Sequence, residues 1–169
     1  MLRRYESFED LAEAPSTVRE EAEVFRLARE AMADVTGMLR REVITRTPIG
    51  ASGNLKGSIF TEIKGENPGV LRGVVASRAP YAGYVEFGRR AGGATPPWRE
   101  GSPLYRWAVR NLESRNGDFE SVAFLVARAI DRRGIRGRRM FARALEENRS
   151  RIDGRIRELL DEIARRVGG

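Results

Sequence analysis

The chain of 169 residues contains no cysteine. Disulfides, thiolate nucleophiles and thiolate-ligated metals are thereby excluded. Histidine is absent as well, which removes the commonest general base and the commonest metal ligand. An enzyme made from this alphabet would run on carboxylates, Ser, Tyr or Lys, so the composition argues against catalysis. No metal and no cofactor are expected. Glutamine is missing too, and Lys56 and Lys64 are the only lysines among 31 basic residues. Scarcity of thermolabile Cys and Gln fits a thermophilic source; a GC-rich genome would equally favour arginine codons. Long apolar runs are also lacking. None approaches the roughly 18 residues that a membrane span requires, and neither a signal peptide nor a membrane partner is expected.

What is present is charge. One third of the residues are charged and the formal net charge is +7. Between Arg89 and Arg139 there are 12 arginines against 5 acidic residues, while the rest of the chain carries 19 of each sign. The whole excess therefore lies in one segment. Such a patch meets phosphate or an acidic protein surface, unless it is simply a solvated helical face.

Periodicity organises the remainder. Residues 1–16 read as a flexible acidic arm, and 17–169 as a single α+β domain. Thr17 with Glu20 has the form of a capping box. Val18, Ala22, Phe25, Ala28, Met32, Val35, Leu39 and Val43 then follow at steps of three and four, one apolar stripe of a long helix that Thr47-Pro48 ends. Strands are expected at 58–63 and 70–77, joined by a turn at 66–69, and a third at 81–87. In that third strand Tyr84 and Glu86 would share the wet face. Residues 89–139 form a basic loop and a two-helix insertion. Ser102 and Pro103 open one insertion helix, and Asp118 caps the other, which ends at Gly134. Arg132 to Arg139 reads as a flexible basic link. Phe141, Leu145, Asn148, Ile152, Ile156, Leu159, Ile163 and Val167 mark a last helix, interrupted only by Gly154. The fold class expected is a small antiparallel sheet packed against long N- and C-terminal helices, with the two-helix insertion.

Motifs of catalytic or ligand-binding type are weak. Gly50, Gly53 and Gly57 with Lys56 lack the Gly-Lys-Ser/Thr ending of a phosphate loop and lead into a strand rather than a helix. Glu62, Glu66 and Glu86 are the carboxylates from which a hydrolase or metal site would have to be built, and nothing in their spacing brings them together. Trp98, Tyr105 and Trp107 are the aromatic residues that could stack on bases within the basic segment, with Trp107 expected in the core.

Three stretches resemble a known family. Thr47-Pro48 with Gly53-Asn-Leu55 and Ser58-Ile59 forms the first, Tyr81-Ala-Gly-Tyr-Val-Glu-Phe-Gly88 the second and Arg139-Met-Phe-Ala-Arg-Ala-Leu145 the third. Together, in this order, they resemble the tailed-phage neck, head–tail joining and minor tail component family. Ser52 stands where that family usually has threonine, and Met140 and Arg143 stand where prolines are usual. The resemblance implies a structural virion protein of a phage or prophage, with a fold shared with tail terminators. It implies a ring, most often hexameric, between connector and tail tube, with assembly in the host cytoplasm before incorporation into the virion. Tyr84, Glu86, Arg89 and Arg90 are then expected at the subunit interface. Arg132, Arg133, Arg136, Arg138 and Arg139 are expected to face passing DNA or an acidic neighbour. The alternative is a basic, sequence-independent DNA-binding module of a mobile element.

Overall fold

A computed structural model describes residues 16–49, 53–66, 70–114 and 116–167. The expected N-terminal arm lies outside the described residues, apart from Ser16, which opens the first helix. That helix, α1 (Ser16–Arg46), is followed by a single turn, α2 (Asn54–Gly57), and then β1 (Ile59–Lys64) and β2 (Arg72–Ser77). Next come α3 (Ala82–Phe87), β3 (Gly88–Arg89), α4 (Pro103–Asn111), α5 (Phe119–Arg133) and β4 (Ile135–Arg136). Two helices close the order, α6 (Met140–Glu147) and α7 (Arg149–Val167). The fold is α+β and mostly helical, with two antiparallel ladders of two strands each, β1–β2 and β3–β4.

The chain divides into two compact units. One, the end unit, takes in the chain up to Arg40, Thr61–Val75 and Glu147–Gly169. The other, the middle unit, takes in Arg41–Phe60 and Ala76–Glu146.

In the end unit, α1 is covered on two sides. Leu27, Ala31 and Met38 are buried at spacings that stack along one face of the helix. Met32 and Thr36 lie on another face, against β2. A Cβ added to Gly73 would collide with the side chains of both, so a larger residue there would require Met32 and Thr36 to shift. The Thr36 hydroxyl, buried there, donates to the Met32 carbonyl at 2.8 Å. Of the expected stripe, Val43 is buried, whereas Val18, Ala22, Phe25, Ala28, Met32, Val35 and Leu39 are half-buried, and Leu27, Ala31, Thr36 and Met38 between them lie deeper. Helix α7 runs antiparallel to α1. Arg155 meets Asp34 at 3.0 Å and Arg166 meets Glu23 at 2.5 Å, so 11 residues along one helix match 11 along the other.

The middle unit is built around Val43, Leu55, Ile59, Ala108, Ala123, Ala127, Met140 and Ala144, all buried. Thr47 closes α1 there. Its hydroxyl donates to the Val43 carbonyl at 2.6 Å and lies 3.3 Å from the Met140 sulfur. Ser102 caps α4 by accepting from the Tyr105 N–H, and Asp118 caps α5 by accepting from that of Ser121. The Ser121 side chain first, and its backbone N–H second, hold the Asp118 carboxyl below its ordinary range by hydrogen bonding. Trp98 packs edge-on against Phe124, with ring centres 5.0 Å apart, and the Arg99 guanidinium lies over the Trp98 ring at 4.7 Å.

Several expectations are corrected. Residues 82–87 are helical, and the strand that follows is only Gly88–Arg89. Its partner is Ile135–Arg136 rather than the preceding strand, so the three sequential strands become two separate ladders. The basic link Arg132–Arg139 is accordingly a paired segment. The last helix is two helices, interrupted at Asn148, whose buried side chain accepts from Arg151 at 3.0 Å. Trp107 is half-buried rather than central.

Candidate assembly surface

The residues singled out in the sequence converge on α3 and its partner segment. A helix over 82–87 changes where their side chains point. At 100° per residue, Tyr81, Tyr84 and Phe87 align on one face, and Glu86 turns to the opposite side of Tyr84. Tyr84 is 62% exposed and Phe87 84%, whereas Glu86 is 6% exposed.

Glu86 is engaged within the chain. Its two carboxylate oxygens accept from the backbone N–H groups of Phe141 at 2.9 Å and Ala142 at 3.0 Å. These are first-turn donors of α6 that no residue inside the helix can satisfy, and a carboxylate complements the positive end of the helix. The backbone of α3 is tied to the same segment. Arg138 N–H donates to the Val85 carbonyl at 2.7 Å, and Arg139 N–H to that of Glu86 at 3.0 Å. Gly88 and Arg89 then pair with Arg136 and Ile135.

Glycine makes this approach possible. A Cβ on Gly137 would fall on the Glu86 carbonyl and on the backbone of Phe87 and Gly88. Gly88 has φ +81° and Gly134 φ +71°, and a Cβ on either would strike the facing backbone at Ile135 or Arg89. Residues 55 apart in sequence are thereby fastened along the buried side of α3. The opposite side, with Tyr81, Tyr84 and Phe87, is left open to solvent.

The arginines divide. Arg89 donates to the Ala94 carbonyl at 2.5 Å and lies across Gly93, bracing the loop. Arg139 pairs with Glu146 at 2.6 Å. Arg90, Arg132, Arg133, Arg136 and Arg138 are exposed, and none has an ion-pair partner among the described residues. Tyr105 and Trp107 are half-buried, and Trp98 is taken up by Phe124 and Arg99. Trp98, Tyr105 and Trp107 therefore form no exposed row for base stacking beside these cations.

The other candidates remain apart. Glu62 pairs with Lys64 at 3.1 Å, far in the chain from the Glu86 clamp. Among the described residues no group of three or more acidic side chains is placed to hold a metal. No helix among them is long and apolar enough to cross a membrane. Gly50 lies outside the described residues, while Gly53 and Lys56 belong to the turn around α2, whose Leu55 is buried. What sequence reasoning missed is the helical face of α3. Its signal was the spacing of three between Tyr81, Tyr84 and Phe87, which suits a helix better than a strand.

Residues 12–88 match the family model described as "Bacteriophage HK97-gp10, putative tail-component". The match runs through α1, the hairpin and α3, and ends at Gly88, the first residue of β3. Over this stretch the chain is similar to bacteriophage tail components, as its motifs led us to expect. Neither the curated proteins nor the solved structures contain a match to the chain.

Proposed function

We propose that the protein is a structural subunit of the phage head–tail junction or of tail completion. In this reading it forms a cyclic homo-oligomer, a hexamer, in contact with connector and tail-tube proteins. It folds in the host cytoplasm and is incorporated into the virion. The observation that carries the reading is the row Tyr81, Tyr84 and Phe87, exposed on a helix whose other side is fastened by Glu86. Three neighbouring aromatics in water are unfavourable unless a partner covers them. Holding them rigidly before association reduces the ordering cost of the complex. Tyr84 is the interface residue of the expected set, Glu86 holds the helix that presents it, Arg89 braces the adjoining loop and Arg90 is a charge partner.

Light scattering over a concentration series, alone and with purified tail tubes, tests this. Mass should rise with concentration or on the tubes, and Tyr84→Asp should suppress the rise. A monomer under every condition, indifferent to Tyr84→Asp, would remove the support.

A second reading concerns Arg132, Arg133, Arg136 and Arg138, exposed and without ion-pair partners among the described residues. As the lining of a DNA passage they would bind duplex without sequence preference and with steep salt dependence. Affinity that survives high salt or prefers one sequence would instead favour a DNA-reading module.

A further inference from the structure

Helix α5 keeps one whole face in solvent. At the turn of an α-helix, Ser121, Leu125, Arg128, Ala129 and Arg132 fall together on one side, and all five are exposed. The opposite side is the packed one, with Ala123 and Ala127 buried. Leu125 is 63% exposed. Ser121 and Ala129, one turn before and after it, are small, so the leucine stands out between two shallow hollows. A ridge bounded by hollows is the surface with which the side chains of a second helix interdigitate.

Charge indicates what kind of helix. From Ser121 to Arg138 the sequence holds five arginines and a single acid, Asp131. Arg128, Arg132, Arg133, Arg136 and Arg138 are exposed, whereas Asp131 is half-buried. None of the five arginines has an ion-pair partner among the described residues. Glu120, near the start of the helix, is engaged with the preceding loop, where it accepts the Glu100 N–H at 3.0 Å. Arg128 is held in advance. Its guanidinium lies over the Phe124 ring at 5.7 Å, and Phe124 meets Trp98, which in turn carries Arg99. A cation fixed in this way loses less freedom when it pairs with a carboxylate.

The complementary charge is not on offer within the subunit. The described residues of the end unit balance at 12 basic against 12 acidic, and the middle unit is basic. Nucleic acid would satisfy the arginines, but contacts to a phosphate backbone are polar and would leave Leu125 bare. We propose that this face of α5 docks an acidic amphipathic helix of a neighbouring virion protein. The apolar stripe of that helix covers Leu125, and its carboxylates meet Arg128 and Arg132. The inference rests on the assembly reading above and adds which surface meets a different protein and what chemistry that protein presents.

Two synthetic helical peptides of equal length and equal negative charge are the probes, one with a leucine stripe and one with alanine in its place. Fluorescence anisotropy against the full chain should show the leucine peptide binding about tenfold more tightly, the gain expected from covering aliphatic side chains. Leu125→Ser should remove most of that advantage and leave the alanine peptide unchanged. Replacing Arg128 and Arg132 by Ala should weaken both peptides, as should added salt. Because Leu125 is exposed, Leu125→Ser should melt as wild type does, which separates lost binding from lost fold. Equal affinity for the two peptides, or an advantage that survives Leu125→Ser, overturns the docking. A short DNA duplex or a peptide of residues 1–15 that binds more tightly than the leucine peptide also overturns it, by assigning the face to nucleic acid or to the chain itself. Loss of self-association in Leu125→Ser overturns it in favour of a second copy. Where Tyr84-dependent self-association persists and the peptides fail, the docking alone falls; where both fail, the assembly reading falls with it.

Discussion

The two units use the same residues to opposite ends. In the end unit, Arg26, Arg155 and Arg166 are neutralised where they stand. Arg26 bridges Glu23 at 2.7 Å and Glu30 at 2.5 Å, and Arg166 bridges Glu23 and Glu162 at 2.5 and 3.2 Å. In the middle unit Arg90, Arg132, Arg133, Arg136 and Arg138 are left without ion-pair partners among the described residues, and the charge adds up to a field. Carboxylates differ in the same way. Glu23 meets arginines at the surface, while Glu86 is buried and accepts from backbone N–H groups. A surface pair contributes little because water competes for both charges. A buried carboxylate that completes a helix terminus cannot be replaced by water, so its loss leaves donors stranded. The middle unit therefore depends on a few irreplaceable atoms, and the end unit on many weak, redundant ones.

The sharpest way to break this contrast is to remove Glu86. Glu86→Ala strands the N–H groups of Phe141 and Ala142. We expect a loss of about 2–4 kcal/mol from unmade bonds to a buried charge and a missing cap. At about 2–4 °C per kcal/mol for a chain of this size, thermal melting should drop by roughly 5–15 °C. A melting temperature equal to wild type would show that the clamp contributes nothing. Glu86→Gln, keeping one acceptor, should fall in between.

Glycine offers the next test. Gly137→Ala forces a Cβ against the Glu86 carbonyl and should destabilise by about 1–3 kcal/mol, the range usual for overpacking. Gly154→Ala fills open space in a helix and should stabilise by up to about 1 kcal/mol. Denaturant midpoints of the two variants should move in opposite directions; a shared direction would dissolve the distinction between the two glycines.

The third effect concerns the field. Replacing Arg132, Arg133, Arg136 and Arg138 together by Ala should flatten the salt dependence of duplex binding by about one unit of slope for each phosphate that is no longer neutralised. Replacing Arg26 and Arg166 in the end unit should leave that slope alone. Equal effects from both sets would mean that the charge asymmetry does not guide binding.

The smallest effect belongs to Glu23. Hydrogen bonds from Arg26, helped by Arg166 and opposed by desolvation, hold its carboxyl down to about 2 from 4.5. A lowered carboxyl stabilises the fold above the unfolded value, and that contribution fades as pH falls from about 4.5 through about 2. Being at the surface, it should be worth no more than about 1 kcal/mol. Acid titration of stability in Glu23→Gln against wild type should therefore differ slightly at neutral pH and converge near pH 2. A gap that persists below that pH would assign the effect to packing rather than charge.

The long first helix, its end at Thr47-Pro48, the caps at Ser102 and Asp118 and the hairpin were all legible in the sequence. Each depends on neighbours within a few residues, where capping and period act directly. The resemblance to a phage tail component rested likewise on short local patterns. The path of Tyr81 to Gly88 was not legible. Alternation suggested a strand, and what overrode it lies 55 residues away. Only in the folded chain do the bare N–H groups of α6 face Glu86, and only there does the absence of a Cβ at Gly137 let the two backbones meet. The break at Asn148 has the same character, since its period reads as one helix until Arg151 and burial settle the side chain. Composition by itself determined the excess of arginine and the absence of cysteine and histidine. Which arginines are engaged inside the subunit and which remain free was decided by tertiary structure, because pairing requires an acid within a few ångströms and the sequence does not specify that distance.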